Sequence, residues 1–108
     1  MDISDWRKKI DELDCRLVEL LNQRAHAAQE IGRLKKELGA PIYEPKREQE
    51  IFENVSRLSR GPLKGRQLVQ IYERLIDVMR NLQKEEMGVP EQKAGDDGET
   101  EFDQEVND

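Results

Sequence analysis

Cysteine occurs once in the 108 residues, at Cys15, so no intrachain disulfide can form and the framework of a small secreted domain is excluded. Histidine also occurs once, at His26, and with no cluster of metal-ligating side chains beside either residue no metal site is expected. No apolar run exceeds a few residues, which excludes a membrane-spanning helix. The opening stretch Met-Asp-Ile-Ser-Asp-Trp6 is acidic and lacks the basic and apolar regions of a secretory signal. A reduced, soluble, cytoplasmic protein is therefore expected. Aromatic residues make up only 5% and hydrophobic residues 35%, against 39% charged. Core material is thin for one small domain, which is marginal at this size without a staple, so association with a further copy is the remaining way to enlarge the core.

The net charge of -6 averages two unlike segments. Residues 85–108 hold ten acids and one base, Lys93, whereas residues 1–84 carry a small basic excess of +3. The acidic end has few large apolar residues and several glycines, and it cannot bury enough surface to offset its ordering entropy. We expect a folded unit over residues 1–86 and an acidic disordered tail over 87–108. The tail reads as solubilising, with a partner-binding role as the alternative. The mild basic excess suits a small anion better than a nucleic-acid backbone, and stacking aromatics are missing, so nucleic acid and membrane are not expected as partners.

Apolar residues recur at alternating steps of four and three through Trp6, Ile10, Leu13, Leu17 and Leu20, then Ala27, Ile31, Leu34 and Leu38. Proline is absent from Ile3 to Ala40; Asp2 or Ser4 can cap the start, and Gly39 and Pro41 mark the stop. The spacing predicts one helix of about 35 residues, about 50 Å long. A compact domain of this size has a radius of gyration near 12 Å. The chain cannot cover such a helix by itself, and an intertwined dimer is the simplest remedy. Pro45 suits the first position of a second, short helix with Ile51, Phe52, Val55 and Leu58 inward, ended by Gly61-Pro62. A third, medium helix is predicted from about Leu63 to Glu86, with Leu68, Tyr72, Leu75 or Ile76, Met79 and Leu82 inward. The fold class is all-α.

Polar residues interrupt these seams. Arg24 falls where Leu20 plus four lands. Either it snorkels, with the seam passing to Ala25 or Ala28, or a guanidinium enters the bundle and needs an anion. Lys35 lies three turns further on the same face, about 16 Å along the axis. On the third helix the seam Tyr72, Ile76, Met79 runs on to Gln83, an amide that needs partners if buried. Arg7 is about 25 Å from Arg24 along the same helix and can meet it only from a partner in an antiparallel pair. Glu44, Lys46, Arg47 and Glu48 crowd the start of the second helix, where a solvated first turn is the plain reading. Cys15 lies off the seam, His26 reads as an exposed helix residue, and Trp6 as a helix-end anchor.

Five segments taken together resemble the all-helical chorismate mutases of the AroQ class. They are Trp6-Arg-Lys-Lys-Ile-Asp-Glu-Leu-Asp14, Leu20-Leu-Asn-Gln-Arg24, Ile31-Gly-Arg-Leu-Lys35, Pro41-Ile-Tyr-Glu-Pro-Lys-Arg-Glu48 and Ile71-Tyr-Glu-Arg-Leu-Ile-Asp-Val-Met-Arg-Asn-Leu-Gln83. The resemblance implies an intertwined homodimer of three-helix chains with sites shared between chains. It implies an isomerase without cofactor that converts chorismate to prephenate in aromatic amino-acid biosynthesis. It assigns Arg24 and the partner's Arg7 to the substrate carboxylates, and Lys35 and Gln83 to the breaking ether oxygen. Glu48 is implied as the acceptor of the ring hydroxyl, with Glu44 beside it and Arg47 helping to position the site. Met79 stands where the family pattern has a serine touching a carboxylate, so one hydrogen bond is expected to be lost. Isochorismate-pyruvate lyase on the same fold and a non-catalytic helical adaptor are the alternatives, and docking onto another aromatic-pathway enzyme stays open.

Overall fold

The computed structural model describes residues 1–88. The tail expected over 87–108 therefore lies outside the described residues except for its first two positions. Three helices follow one another: α1, Ile3–Leu38; α2, Pro45–Leu58; and α3, Gly65–Glu86. No strand occurs among the described residues.

Local chemistry sets the helix ends. Asp2 caps α1 through a reciprocal pair: its carboxylate accepts from the Asp5 N–H at 2.9 Å, and the Asp5 carboxylate accepts from the Asp2 N–H at 3.0 Å. Gly39 ends α1 in the left-handed region at φ 69°, and its N–H and that of Ala40 close onto the last carbonyls. Pro45 opens α2 at the position where a missing N–H is harmless. Two boundaries differ from expectation. The second helix stops at Leu58 rather than running to Gly61-Pro62, and α3 begins at Gly65 rather than Leu63. Ser59 is already extended, and Leu58 is left exposed where an inward position was expected.

The third helix packs against both of the others and is the centre of the chain. Its buried positions are Ile76 and Met79, and α1 meets it through Ala28, Gly32 and Lys35. The own-chain face of α1 is thus not the one led by Ala27, Ile31, Leu34 and Leu38, all of which are exposed. A 3.5-residue repeat falls behind a straight helix by about 20° per heptad, and three heptads separate Trp6 from Ala27. By the end of α1 the leucine stripe has turned away from α3, and the small residues Ala28 and Gly32 lie against it instead. At Gly32 an added Cβ would lie 3.0 Å from the Gln83 Cα and 3.2 Å from the Gln83 carbonyl oxygen, so glycine sets how closely α1 and α3 approach.

The rest of α1 is bare. Every residue from 1 to 23 is exposed in the isolated chain. Trp6, Ile10, Leu13, Leu17 and Leu20 form one apolar stripe, between 39% and 60% exposed. Burying such a side chain fully is worth about 1.5–3 kcal/mol, and with about half of each still exposed the stripe leaves roughly 4–8 kcal/mol unrealised. That is comparable to the whole stability of an ordinary domain. The molecule measures 54 × 30 × 23 Å with a radius of gyration of 16.3 Å, the elongation expected from so long a helix. None of its described helices is long and apolar enough to cross a membrane.

Candidate active site

A cavity of about 670 Å³ opens where the C-terminal third of α1, the Gly39–Glu44 loop, the start of α2 and the end of α3 converge. That is the size of a small-molecule site. Of the residues singled out in the sequence, Arg24, Lys35, Glu44, Arg47, Glu48, Met79 and Gln83 all line it. Arg7 does not; it is exposed in the first quarter of α1.

Lys35 is the most enclosed charge in the cavity. It is the one buried charged residue among those described, 9% exposed. Its ammonium group donates to the Ile42 carbonyl at 2.8 Å and to the Gln83 side-chain oxygen at 3.0 Å, and pairs with Glu44 at 2.9 Å. An ammonium group has three protons, so all are engaged. The Glu44 carboxylate is half-exposed and is the partner most easily exchanged for an incoming acceptor. Because Gln83 gives its oxygen to Lys35, its NH₂ group is left to donate elsewhere. Two helices that meet at Gly32 thus bring together two donors 48 positions apart in sequence.

The half-buried Arg24 lies 5.8 Å from the Tyr72 ring centroid, a cation–π distance. The reading in which its guanidinium turns toward the bundle is the one the cavity supports, although the seam also passes to Ala28 as the alternative anticipated. Arg47 sits at the exposed edge and pairs with Glu50 at 3.3 Å. Met79 is buried, 6% exposed, and offers the cavity a thioether instead of a hydroxyl.

Glu48 faces inward from the first turn of α2 and is not merely a solvated cap. Both its oxygens accept from Arg80 Nη2 at 2.8 Å, and Oε2 also accepts from Arg80 Nε at 3.0 Å. Arg80 Nη1 donates to Asp77 at 3.1 Å, and the guanidinium lies 5.2 Å from the Tyr43 ring centroid. Burial alone would lower the Arg80 pKa, but the hydrogen bonds and charge of Glu48, then of Asp77, outweigh it and raise the guanidinium above its ordinary value. The sequence reading missed Arg80. On a helical wheel it neighbours the seam without occupying it, and nothing in its spacing separates it from a solvated arginine.

The arrangement is a cationic cleft with two convergent donors, Lys35 and Gln83, and one ordered carboxylate. It can bind a compact polyanion, hold a hydroxyl and place hydrogen bonds on a single oxygen. Cys15 and His26 stay outside it, both exposed.

Comparison with known proteins points the same way. A bifunctional chorismate mutase/prephenate dehydratase from Aquifex aeolicus is 38% identical over 87 residues, covering 77% of this chain, which spans only 24% of that longer protein. A chorismate mutase from Methanocaldococcus jannaschii is 31% identical over 84 residues, 77% of this chain and 85% of the relative. Among solved structures, a chorismate mutase from Helicobacter pylori in complex with prephenate superposes with a TM-score of 0.73 at 35% identity, over 80% of this chain and 93% of that one. Form II of the Thermus thermophilus chorismate mutase gives 0.74 at 32% identity, over 76% and 93%. The profile of the chorismate mutase type II family matches residues 6–84, and the chain belongs to that family.

Proposed function

We propose that this chain is a chorismate mutase, a soluble cytoplasmic enzyme whose catalytic unit is residues 1–86 and whose acidic segment 87–108 lies outside that unit. Chorismate is a dianion with a ring hydroxyl and an enol-ether side chain. In the [3,3] rearrangement the ether carbon–oxygen bond breaks as a new carbon–carbon bond forms, and the departing oxygen becomes the ketone of prephenate. No proton moves and no nucleophile attacks. The enzyme's tasks are to hold the folded conformer and to meet the negative charge that grows on the ether oxygen.

The observation that carries the reading is the Lys35–Gln83 pair, a buried ammonium and an amide oriented by it, 3.0 Å apart in a cationic cavity. The ether oxygen takes a hydrogen bond from each, Lys35 exchanging its exposed partner Glu44 for the substrate. The Arg24 guanidinium binds a carboxylate, a planar match. Glu48 accepts the ring hydroxyl, with Glu44, once released, close to the same group and Arg47 at the rim. Met79 packs against the substrate without the hydrogen bond of the family's serine.

The active species is a homodimer in which the bare stripe of α1 pairs antiparallel with its copy and brings the partner's Arg7 to the second carboxylate. Its support is the exposed stripe Trp6, Ile10, Leu13, Leu17 and Leu20, together with a cavity that Arg7 of the same chain does not line. Docking to an enzyme that consumes prephenate is supported by the bifunctional relative, which joins the two activities in one chain. The deciding experiment incubates the full chain with chorismate and, separately, with isochorismate. Prephenate from chorismate is expected; salicylate and pyruvate from isochorismate, or no turnover of either, would overturn the assignment.

A further inference from the structure

We infer that Arg80 is a positioning residue of this site: it clamps Glu48 so that one carboxylate oxygen stays aimed at the substrate hydroxyl. The inference rests on the mutase reading given above. A carboxylate offers about four acceptor positions. The Arg80 guanidinium contacts Oε1 once and Oε2 twice, so Oε1 is the oxygen with capacity left for a ligand. Glu48 lines the cavity, and its side chain is only 18% exposed, so that remaining capacity is directed within a sheltered site rather than lost to bulk water.

The clamp is itself braced. Asp77, one turn earlier on α3, holds Nη1 at 3.1 Å, and the Tyr43 ring from the α1–α2 loop lies 5.2 Å from the guanidinium. Three elements therefore converge on one planar group. Glutamate has three side-chain torsions and pays rotamer entropy when it is fixed. A forked partner that is already immobile removes that search before substrate arrives, as a lysine point charge would not. Arg80 need not touch the substrate; its effect passes through Glu48.

A double-mutant cycle on the full-length protein tests this, with kcat and KM measured on chorismate for Arg80→Met and Arg80→Lys, each with Glu48 intact and with Glu48→Gln. Arg80→Met should lower kcat/KM by roughly 10- to 100-fold, the size expected when a charge-assisted fork is removed. Arg80→Lys should recover part of the loss. In the Glu48→Gln background the same changes should cost less than about threefold, because the clamp has lost the charge it orients. Asp77→Asn, at a half-exposed position, serves if Arg80→Met does not fold; a loss of about threefold that vanishes in the Glu48→Gln background supports the inference. Equal losses in both backgrounds, in either series, would show that Arg80 acts only on the packing of α2 against α3, and would overturn it. A wild type inactive on chorismate overturns the mutase reading and this inference with it, whereas an active wild type with additive losses overturns the inference alone.

Discussion

Lys35 carries the central role in the proposed mechanism. Its three protons are satisfied by Ile42, Gln83 and Glu44, which is why a charge can be buried in a chain with so small a core. The proposed role requires a donor whose hydrogen bond strengthens as the ether oxygen gains charge. Lys35→Ala should therefore lower kcat by about 3–4 kcal/mol of transition-state stabilisation, the range found when a donor to a developing oxyanion is deleted. Steady-state kinetics at saturating chorismate measures it, and near-normal turnover would remove Lys35 from the mechanism. Gln83 allows a sharper test because it is neutral at every pH. In Gln83→Glu only the protonated acid can donate, and Lys35 at 3.0 Å favours the ionised form. Activity of that variant should rise as pH falls, relative to wild type over the same range. A pH profile parallel to that of the wild type would contradict the donor role of Gln83.

The elements meet in a way that depends on small residues. Gly32 stands against the backbone of α3 at the residue that carries the Gln83 amide. Alanine there would gain about 1 kcal/mol in helix propensity. Its Cβ would also sit 3.0 Å from Cα and 3.2 Å from the carbonyl oxygen of Gln83, atoms that move only with the helix. Relieving that contact costs about 1–3 kcal/mol, so the two effects largely offset each other in stability. They do not offset in geometry: α3 must recede by a few tenths of an ångström where Lys35 meets Gln83. Gly32→Ala is expected to keep its melting temperature within a few degrees while kcat falls about tenfold, since displacements of this order weaken catalysis strongly. Calorimetry and kinetics on the same preparation separate the two. A variant with unchanged kcat would show that the approach of the helices is not critical.

At the scale of the whole molecule, the long helix exposes a stripe that no other described part of the chain covers, and Arg7, which the resemblance assigns to the second carboxylate, does not line the cavity of its own chain. Both point to pairing of α1 with its copy. In the proposed antiparallel dimer, Arg7 and Arg24, about 25 Å apart on one helix, serve different sites. Arg7→Ala and Arg24→Ala should each abolish most activity. Mixed in equal amounts and allowed to exchange, they should regain about a quarter of the wild-type rate, since half the dimers are mixed and each mixed dimer has one intact site of two. The rate after mixing, with exchange followed by native mass spectrometry, checks this. No recovery among proven heterodimers would confine each site to one chain.

Much of this arrangement was readable from residue order. A cap at Asp2 or Ser4, the glycine stop at Gly39 and Pro45 at a helix start are local signals, so the three helices could be placed to within a few residues. The excess length of α1 followed from its uninterrupted apolar period. Arg24, Lys35 and Gln83 stood out because polar groups at or beside seam positions conflict with burial, whereas Glu48 read as part of a solvated first turn, and the resemblance supplied the roles of all four. The sequence left the seam open between Ala27 and a passage to Ala25 or Ala28; that Ala28 makes the α1–α3 contact depends on how far a 3.5-residue stripe drifts around a straight helix before α3 meets it. Arg80 was likewise invisible: its partners Glu48, Asp77 and Tyr43 come from three elements, and only their convergence distinguishes it from the other arginines of the chain. Helix limits and candidate polar residues are encoded in neighbouring residues along the chain. The pairings that orient those residues depend on contacts across tens of positions, which exist only once the helices have packed.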